Sequence, residues 1–258
     1  MEGNIYSRTR LLIGDEGVQR LRQAHVLVAG LGGVGAYTAE MLCRAGVGRL
    51  TIADSDVINE SNLNRQLVAL HSTLGRKKAE TLATRLADIN PECQIEAVDA
   101  YLKDDRMVTL LEAARYDFVV DAIDTLSPKV FLLYNAHRLG LPTVSSMGSA
   151  GKMDPTQIHI ADIAESSVCP LAAMVRKYLH KLGVRSGITA VYSTEKVRPG
   201  CMVEEFGENK RTTVGTISYL PPVFGCCCAS VAIRALAQTE TEAQTCKRDT
   251  TKTNNKVK

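Results

Sequence analysis

The sequence contains no tryptophan, and none of its eight cysteines form a C-x-x-C pair. Cysteine pairs at that spacing are common ligands of structural zinc, so we expect no zinc site. No positively charged leader followed by an apolar segment opens the chain, which indicates a protein that is not exported. Cysteines outside a secretory context are expected to be free thiols, so the sequence predicts a cytoplasmic protein.

A strong excess of charge of one sign is also lacking. The 31 basic and 28 acidic residues give a net charge of +3, which is too small to indicate nucleic-acid binding by itself. Residues 238–258 hold five basic and three acidic side chains of this total. Because that terminal stretch is polar and poor in large apolar residues, we expect a disordered tail.

The stretch from Thr212 to Ile233 has no charged side chain and is long enough to cross a membrane, which takes about 20 apolar residues. Pro221 and Pro222 interrupt it, however. We therefore expect a loop followed by a buried helix at 224–237, and membrane contact is not the favoured interpretation.

The stretch from His25 to Asp56 has the order strand, glycine turn, helix, strand, acid. A buried strand is predicted at Val26–Ala29, a helix at Ala36–Ala45 and a second strand at Arg49–Ala53. Asp54 follows the second strand directly. Its sequence spacing from the glycine turn is the one at which an acid can bind a ribose hydroxyl. This order is typical of nucleotide-binding sites.

The turn itself reads Gly30-Leu31-Gly32-Gly33-Val34-Gly35. Gly30 permits a tight turn, Gly32 lets the backbone approach a phosphate, and Gly35 lets the helix pack closely on the strand. The helix that follows presents free N–H groups and the positive end of its dipole to an anion.

Strands and helices alternate through residue 148, which predicts an α/β fold with a doubly wound, mostly parallel, Rossmann-like sheet. The other predicted strands of this part are 94–98, 118–124 and 142–146, and the other predicted helices are 15–22, 75–89, 104–114 and 129–139. Residues 149–237 are expected to form a C-terminal extension of mixed strands and helices on the substrate side. Its predicted parts are strands 157–161 and 190–195, a helix at 171–182 and a polar loop at 200–213. We expect one domain over 1–237, with a nucleotide-binding core at 1–148.

Polar residues follow two of the predicted parallel strands at their carboxyl ends, the edge where ligands bind in open α/β sheets. The loop after the second strand contains Arg65 and Gln66, which are expected at the rim of the site. Asp124, at the end of the predicted fourth strand, is suited to hold magnesium beside phosphates or to cap the next helix. Both roles stay open for Asp124.

Basic residues elsewhere have two interpretations. Arg176, Lys177 and Lys181 lie in one predicted helix and are either a solvated face or a site for the phosphates of a polyanion. Arg8 precedes the first predicted helix, and on composition alone it is expected to be solvated.

The basic residues near the predicted site favour ATP over NAD as its ligand. The pyrophosphate of NAD is served largely by backbone N–H groups, whereas a triphosphate attracts cations such as Arg65 and Lys78. A hydride-transfer enzyme also needs a proton donor, and no histidine of the sequence has an evident carboxylate partner.

Taken together, the motifs resemble the ThiF/MoeB superfamily of ubiquitin-activating-like adenylating enzymes over about residues 6–148. The segments that carry the resemblance are Gly30-x-Gly32-Gly33-x-Gly35, Asp54-x-Asp56, Asn62-x-Asn64-Arg65-Gln66, Lys78 and Asp121-x-x-Asp124. Three later segments look like one branch, the tRNA threonylcarbamoyladenosine dehydratases, and extend the resemblance to about residue 236. These are 154–158, 170–173 and 193–195.

The resemblance implies an ATP-dependent cyclisation of threonylcarbamoyladenosine beside the tRNA anticodon, in a homodimer that uses magnesium. It implies that Asp54 binds the ribose and Asp124 the metal, and that Arg8 reaches the ATP of the partner subunit. The other residues implied in nucleotide binding are the four glycines, Asp56, Asn62, Arg65, Gln66 and Lys78. The basic helix is the expected tRNA contact, and a cysteine-desulfurase or sulfur-acceptor system is a conceivable partner.

Three alternatives stay open at this point. The lack of C-x-x-C pairs argues against a ubiquitin-like sulfur-carrier protein as substrate, but such a carrier remains the main alternative. An NAD-dependent oxidoreductase and a nucleotide-sensing scaffold without catalysis are the others. Cys201 and 226–228 are interpreted as small buried hydrophobic residues rather than catalytic thiols.

Overall fold

The computed structural model describes residues 5–102, 105–204 and 212–238. The strands are β1 His25–Ala29, β2 Arg49–Ala53, β3 Gln94–Val98, β4 Phe118–Asp121, β5 Thr143–Ser146, β6 Ile158–Asp162, β7 Thr189–Ser193, β8 Met202–Glu204 and β9 Thr212–Val214. The α-helices are α1 Ser7–Gln23, α2 Gly35–Ala45, α3 Lys78–Ile89, α4 Asp105–Glu112, α5 Leu126–Arg138, α6 Pro170–Lys181 and α7 Leu220–Ala237.

A seven-stranded sheet, in the order β3-β2-β1-β4-β5-β7-β6, forms the centre of the described chain. All neighbouring pairs are parallel except β6 with β7, so the predicted doubly wound, mostly parallel sheet is confirmed. The C-terminal extension contributes β6 and β7 to the same sheet as the nucleotide-binding core. The order reverses between β1 and β4, which creates a crevice at their carboxyl ends.

The central strands are buried along their whole length because helices cover both faces of the sheet. Every residue of β1, β4 and β5 is buried, and for β1 this was predicted from its apolar run. In α3, Ala79, Leu82 and Leu86 lie on the buried face, and the polar residues face outward.

Several predicted boundaries were wrong near the carboxyl edge of the sheet. The fourth strand ends at Asp121 rather than at Asp124, because the Asp121 side chain accepts a hydrogen bond from the Ile123 backbone N–H at 3.1 Å and turns the chain. Helix α5 then begins at Leu126 rather than at Lys129. Pro128 fits its first turn, where a missing N–H costs nothing.

The two ends of the described chain also differ from expectation. Helical structure begins at Ser7 rather than at residue 15, with a kink at Gly14, whose φ is 73°. The predicted loop at 200–213 contains the antiparallel pair β8 and β9, and its middle lies outside the described residues. The expected disorder at 239–258 and the predicted helix start at residue 104 lie outside them as well.

Helix α7 begins at Leu220, four residues earlier than predicted, because Pro221 and Pro222 are tolerated in its first turn. With a mean hydropathy of 1.6, it is long and apolar enough to span a membrane by length and composition. Its residues Leu220, Phe224, Cys228 and Ala232 are fully buried, and the helix packs on α1 and α2. In this fold α7 is therefore a core helix.

Candidate active site

The glycine turn between β1 and α2 lies at the reversal of strand order. A Cβ atom at Gly30 would lie 2.8 Å from the Ala122 carbonyl oxygen, and one at Gly35 would lie 1.8 Å from the Gly30 carbonyl oxygen. Both positions therefore require glycine. A Cβ atom at Gly32 would have the Gln66 Nε2 atom as its nearest neighbour, at 3.8 Å, so the backbone there is open to a ligand.

The first turns of two helices lie beside this turn. Helix α2 begins at Gly35, and Pro221 in the first turn of α7 would lie 3.0 Å from a Cβ atom at Gly33. Gly225 of α7 lets the two helices cross closely, since a Cβ atom there would lie 2.6 Å from the Val34 carbonyl oxygen. The N-terminus of α2 thus lies at the crevice, where its dipole favours an anionic ligand, whereas Pro221 and Pro222 remove N–H donors from the first turn of α7.

Asp54 connects β2 to the glycine turn. Its carboxylate accepts hydrogen bonds from the backbone N–H groups of Leu31 at 2.6 Å and of Asp56 at 2.8 Å. Burial raises the pKa of Asp54, and the nearby Lys78 ammonium opposes that rise. The structure places Asp54 at the edge of the crevice, as the sequence predicted.

Lys78 is a nearly buried cation at the start of α3. Its Nζ atom lies 2.7 Å from Oδ2 of Asp56, whose side chain is 66% exposed, whereas that of Lys78 is 5% exposed. A buried ammonium held by one exposed carboxylate is oriented toward the same edge of the sheet as Asp54. The pair can therefore open toward a more highly charged anion.

The polar loop after β2 folds into a short 3-10 helix at Glu60–Asn62. The buried Asn62 accepts a hydrogen bond from the Asn59 backbone N–H at 3.1 Å. Arg65 Nη1 donates to the Ser61 carbonyl oxygen and to Asn64 Oδ1, both at 2.8 Å. These bonds position the Arg65 guanidinium at the rim of the crevice.

Gln66, like Arg65, lies beside the glycine turn. It is 9% exposed, and its Oε1 atom is buried without a hydrogen-bond partner among the described residues. Unsatisfied buried acceptors are rare in native proteins. The Nε2 atom of the same amide is the one near Gly32, so the unsatisfied Oε1 belongs to a side chain at the edge of the site.

A buried network that the sequence reasoning missed supports the loop of Asp124. Lys129 Nζ lies 2.5 Å from Asp121 Oδ2 and donates to Ser145 Oγ at 3.2 Å, and the Ser145 hydroxyl donates to the same Asp121 oxygen at 2.5 Å. All three side chains are fully buried. The sequence did contain a signal for this network. Lys129 is beside Val130 and on the same helix face as Leu133, and a lysine buried among apolar residues requires a partner of opposite charge.

Asp124 is exposed and lies three residues beyond β4, on the loop that this network holds. No cluster of three or more His, Cys, Asp or Glu side chains occurs in the part of the chain that the structure describes. A magnesium ion at Asp124 would therefore take most of its ligands from phosphate oxygens and water, which is usual for this ion.

The basic residues predicted to bind tRNA are not equivalent in the structure. Arg176 is half-buried and donates to the Ser166 carbonyl oxygen at 2.6 Å and to its hydroxyl group. Lys177 is exposed, and Lys181 lies over the Tyr178 ring at 5.4 Å. Arg176 thus has a structural role, and tRNA binding by this helix stays a prediction.

Arg8 lies in the first turn of α1 and is exposed, with no ion pair within the described ranges. The neighbouring side chains of Leu11 and Leu12 are 75% and 86% exposed. Among the described residues, no hydrogen bond connects the Arg8 side chain to the crevice of its own chain.

Comparison with known proteins relates this crevice to one family. The model of the ThiF family matches residues 6–257. The chain is 40% identical over 190 residues to a tRNA threonylcarbamoyladenosine dehydratase of Bacillus subtilis, covering 74% of each protein. It is 38% identical over 197 residues to the Escherichia coli protein of the same name, covering 74% of this chain and 73% of that one.

A solved structure shows the same architecture. The Escherichia coli tRNA N6-threonylcarbamoyladenosine dehydratase TcdA, crystallised in complex with ATP, superposes with a TM-score of 0.81 at 34% identity. The match covers 90% of this chain and 93% of that chain.

Proposed function

Since this chain belongs to the ThiF family, we propose that it is an ATP-dependent tRNA threonylcarbamoyladenosine dehydratase. The observation that carries the proposal is its 38–40% identity to proteins of that name over 74% of its length. The ATP complex of the E. coli neighbour supports ATP as the nucleotide that this chain binds. The α2 N-terminus and the Lys78 ammonium at the crevice suit a triphosphate.

The chemistry has two steps. The carboxylate of the modified nucleoside attacks the α-phosphorus of ATP, pyrophosphate leaves, and an acyl-adenylate forms. The neighbouring carbamoyl group then attacks the activated carbonyl carbon, AMP leaves, and a ring closes with net loss of water. The protein contributes mainly by positioning the reactants and by neutralising charge.

The proposed nucleotide-binding roles are supported by the positions of these residues at the crevice. Asp54 binds the ribose hydroxyls while its other contacts hold the glycine turn, and Lys78 leaves Asp56 to contact the phosphates. Arg65 and Asn62 contact the polyphosphate from the rim. The orphaned Gln66 acceptor completes the site by accepting a hydrogen bond from the bound substrate or a water.

Asp124 is the proposed magnesium ligand, and the ion would neutralise charge on the phosphates when bound. The buried network of Asp121, Lys129 and Ser145 holds the loop that carries Asp124, because Asp121 also accepts from the Ile123 N–H. These three residues are positioning residues and do not contact the substrate themselves.

We place the enzyme in the cytoplasm as a homodimer, with Arg8 directed at the ATP of the partner subunit. The exposed Leu11 and Leu12 beside Arg8 support this assembly, because two neighbouring leucines at more than 70% exposure favour coverage by a second chain. The tRNA is the macromolecular substrate, with the exposed Lys177 and Lys181 as proposed phosphate contacts. A sulfur-acceptor protein is a conceivable further partner.

The direct test is nucleoside mass spectrometry of tRNA that carries threonylcarbamoyladenosine, after incubation with the protein, ATP and magnesium. We expect the modified nucleoside to lose the mass of one water only when ATP and protein are both present. Unmodified tRNA is the negative substrate control. No mass change, together with ATP consumption that depends on a small carrier protein, would overturn the proposal in favour of carrier adenylation.

A further inference from the structure

The segment 215–221, here named the crossing segment, contacts both the loop after β2 and the glycine turn. Asn64 Nδ2 donates to the Thr216 carbonyl oxygen at 2.9 Å, and Pro221 packs beside Gly33 of the glycine turn. At its other end, the Gly215 carbonyl oxygen accepts a hydrogen bond from the Gly151 N–H at 2.8 Å. The crossing segment therefore runs along the rim of the crevice.

Tyr219 lies within this segment, between Thr216, which contacts the loop after β2, and Pro221, which contacts the glycine turn. Its ring is 41% exposed, and its hydroxyl donates to the Met153 carbonyl oxygen at 2.7 Å. That bond fixes the orientation of the ring while leaving part of its surface accessible. Ile217 and Met153 are 36% and 39% exposed and extend the apolar surface on either side.

Two exposed cations lie on a loop that is attached to the same turn as the crossing segment. The loop after β7 carries Lys196, which is exposed, and Arg198, whose side chain is 60% exposed. The Arg198 backbone N–H donates to the Gly151 carbonyl oxygen at 3.0 Å, so the loop is attached to the same turn as the crossing segment. The Glu195 carboxylate lies 4.0 Å from the Arg198 guanidinium. Because an exposed pair at this distance is weak, most of the positive charge of Arg198 stays uncompensated.

We propose that Tyr219 is a stacking platform for an unpaired base next to the modified adenosine of the tRNA, with Lys196 and Arg198 binding the adjoining phosphates. The inference rests on the proposed function and names the surface that presents the substrate to the crevice. A fixed aromatic ring together with exposed cations is the combination that binds single-stranded nucleic acid without sequence readout.

The position of the platform favours RNA over other occupants. The carboxylate that captures AMP must reach the α-phosphate, so the bases around it must lie at the crevice rim. An apolar surface alone would suit a second protein chain equally well, but Lys196 and Arg198 add the positive charge that phosphates require. Because the Tyr219 ring is already oriented, little conformational entropy is lost when a base stacks on it.

The test compares the affinity for modified tRNA and for ATP in Tyr219→Ala, Tyr219→Phe and Leu139→Ala. Stacking on an aromatic ring contributes enough that Tyr219→Ala should raise the tRNA Kd roughly 5- to 100-fold. Tyr219→Phe keeps the ring and should stay within about 3-fold of the wild type. Leu139 is 44% exposed at the end of α5, on the opposite edge of the sheet, so Leu139→Ala is the matched control.

The ATP Kd should stay unchanged in all three variants. An equal loss of ATP and tRNA affinity in Tyr219→Ala would overturn the platform, because it would show a general disturbance of the crevice. The platform would also be overturned if Tyr219→Ala left the tRNA affinity unchanged, whether or not the oligomeric state of the protein changed. The binding assay does not require turnover. If the wild-type protein binds tRNA but forms no product, the proposed function is refuted, and the effect of Tyr219→Ala on tRNA affinity still tests the platform.

The phosphate contacts have a separate readout. The logarithm of tRNA affinity falls with the logarithm of salt concentration, and each lost contact to a single strand reduces that slope by about 0.7. Lys196→Gln with Arg198→Gln should therefore flatten the salt dependence without changing the ATP Kd. An unchanged slope would show that these cations do not contact the tRNA.

Discussion

At the scale of single residues, the site depends on a few charges whose burial makes them costly to leave unpaired. Lys78 is held by one exposed carboxylate, whereas Lys129 is enclosed completely. The two lysines therefore have different expected roles. Lys78 can exchange its partner for a phosphate, while Lys129 cannot leave Asp121 without exposing a bare charge to the core.

Replacing Lys78 with alanine should reduce formation of the dehydrated nucleoside about 100- to 1,000-fold, because a charge-assisted contact to the reacting phosphates is lost. Product formation over time at saturating ATP measures this effect. Lys77→Ala is the matched control, since Lys77 is adjacent but pairs with Asp99 at 3.0 Å on the surface. Equal activity of the two variants would show that Lys78 does not contact the nucleotide.

Replacing Lys129 with methionine should lower the free energy of unfolding by about 3–5 kcal/mol, because the Asp121 carboxylate is left buried without its cation. Urea denaturation measures the change. The double variant Lys129→Met with Asp121→Asn removes both charges and should lose less stability than the single variant. Lys77, which forms a surface ion pair, provides the comparison. Lys77→Met should change the free energy of unfolding by no more than about 1 kcal/mol. A double variant as unstable as the single one would contradict this account of the network.

At the scale of elements, the sequence predicted the parts whose signal is local. The strand, glycine turn and helix around residues 25–45 follow from an apolar run and from glycines that sterics require. The β8 and β9 pair was missed because strands of three residues carry little periodicity. The end of β4 was misplaced because a side chain, Asp121, turns the chain there.

The candidate site was predicted less completely than the fold. Residues with a motif, such as Asp54 and Lys78, lie at the predicted edge of the sheet. Lys129 and Tyr219 were missed because their significance comes from partners distant in sequence, Ser145 and Met153. Arg176 was expected either on a solvated face or at a site for tRNA phosphates, and its bond to Ser166, ten residues earlier, was not foreseen.

The crossing of α7 over α2 gives a prediction at this scale. Gly225→Ala places a methyl group 2.6 Å from the Val34 carbonyl oxygen, so the helices must separate beside the glycine turn. We expect a loss of about 1–3 kcal/mol in unfolding free energy and weaker ATP binding. Cys226→Ala, at the adjacent exposed position of α7, should change stability by no more than about 0.5 kcal/mol. Equal stability of the two variants in thermal unfolding would contradict close packing at this crossing.

At the scale of the whole molecule, the proposal is that a second subunit completes the site. Arg8 makes no ion pair within the described chain, and the leucines beside it are exposed. If Arg8 serves the partner's ATP, a mixed dimer of Arg8→Ala and Lys78→Ala subunits contains one intact site. Mixing the two inactive variants under exchange conditions should therefore restore product formation, which neither variant shows alone. No recovery in verified mixed dimers would place Arg8 outside the reaction.

The central claim is that the crevice activates a substrate carboxylate by transferring AMP to it, and isotope transfer tests this directly. When the carboxylate of the modified tRNA is labelled with oxygen-18, ring closure after adenylation must leave one labelled oxygen on the phosphate of AMP. We predict labelled AMP in step with the dehydrated nucleoside. Unlabelled AMP, or formation of ADP with label in inorganic phosphate, would contradict adenylation as the activating step.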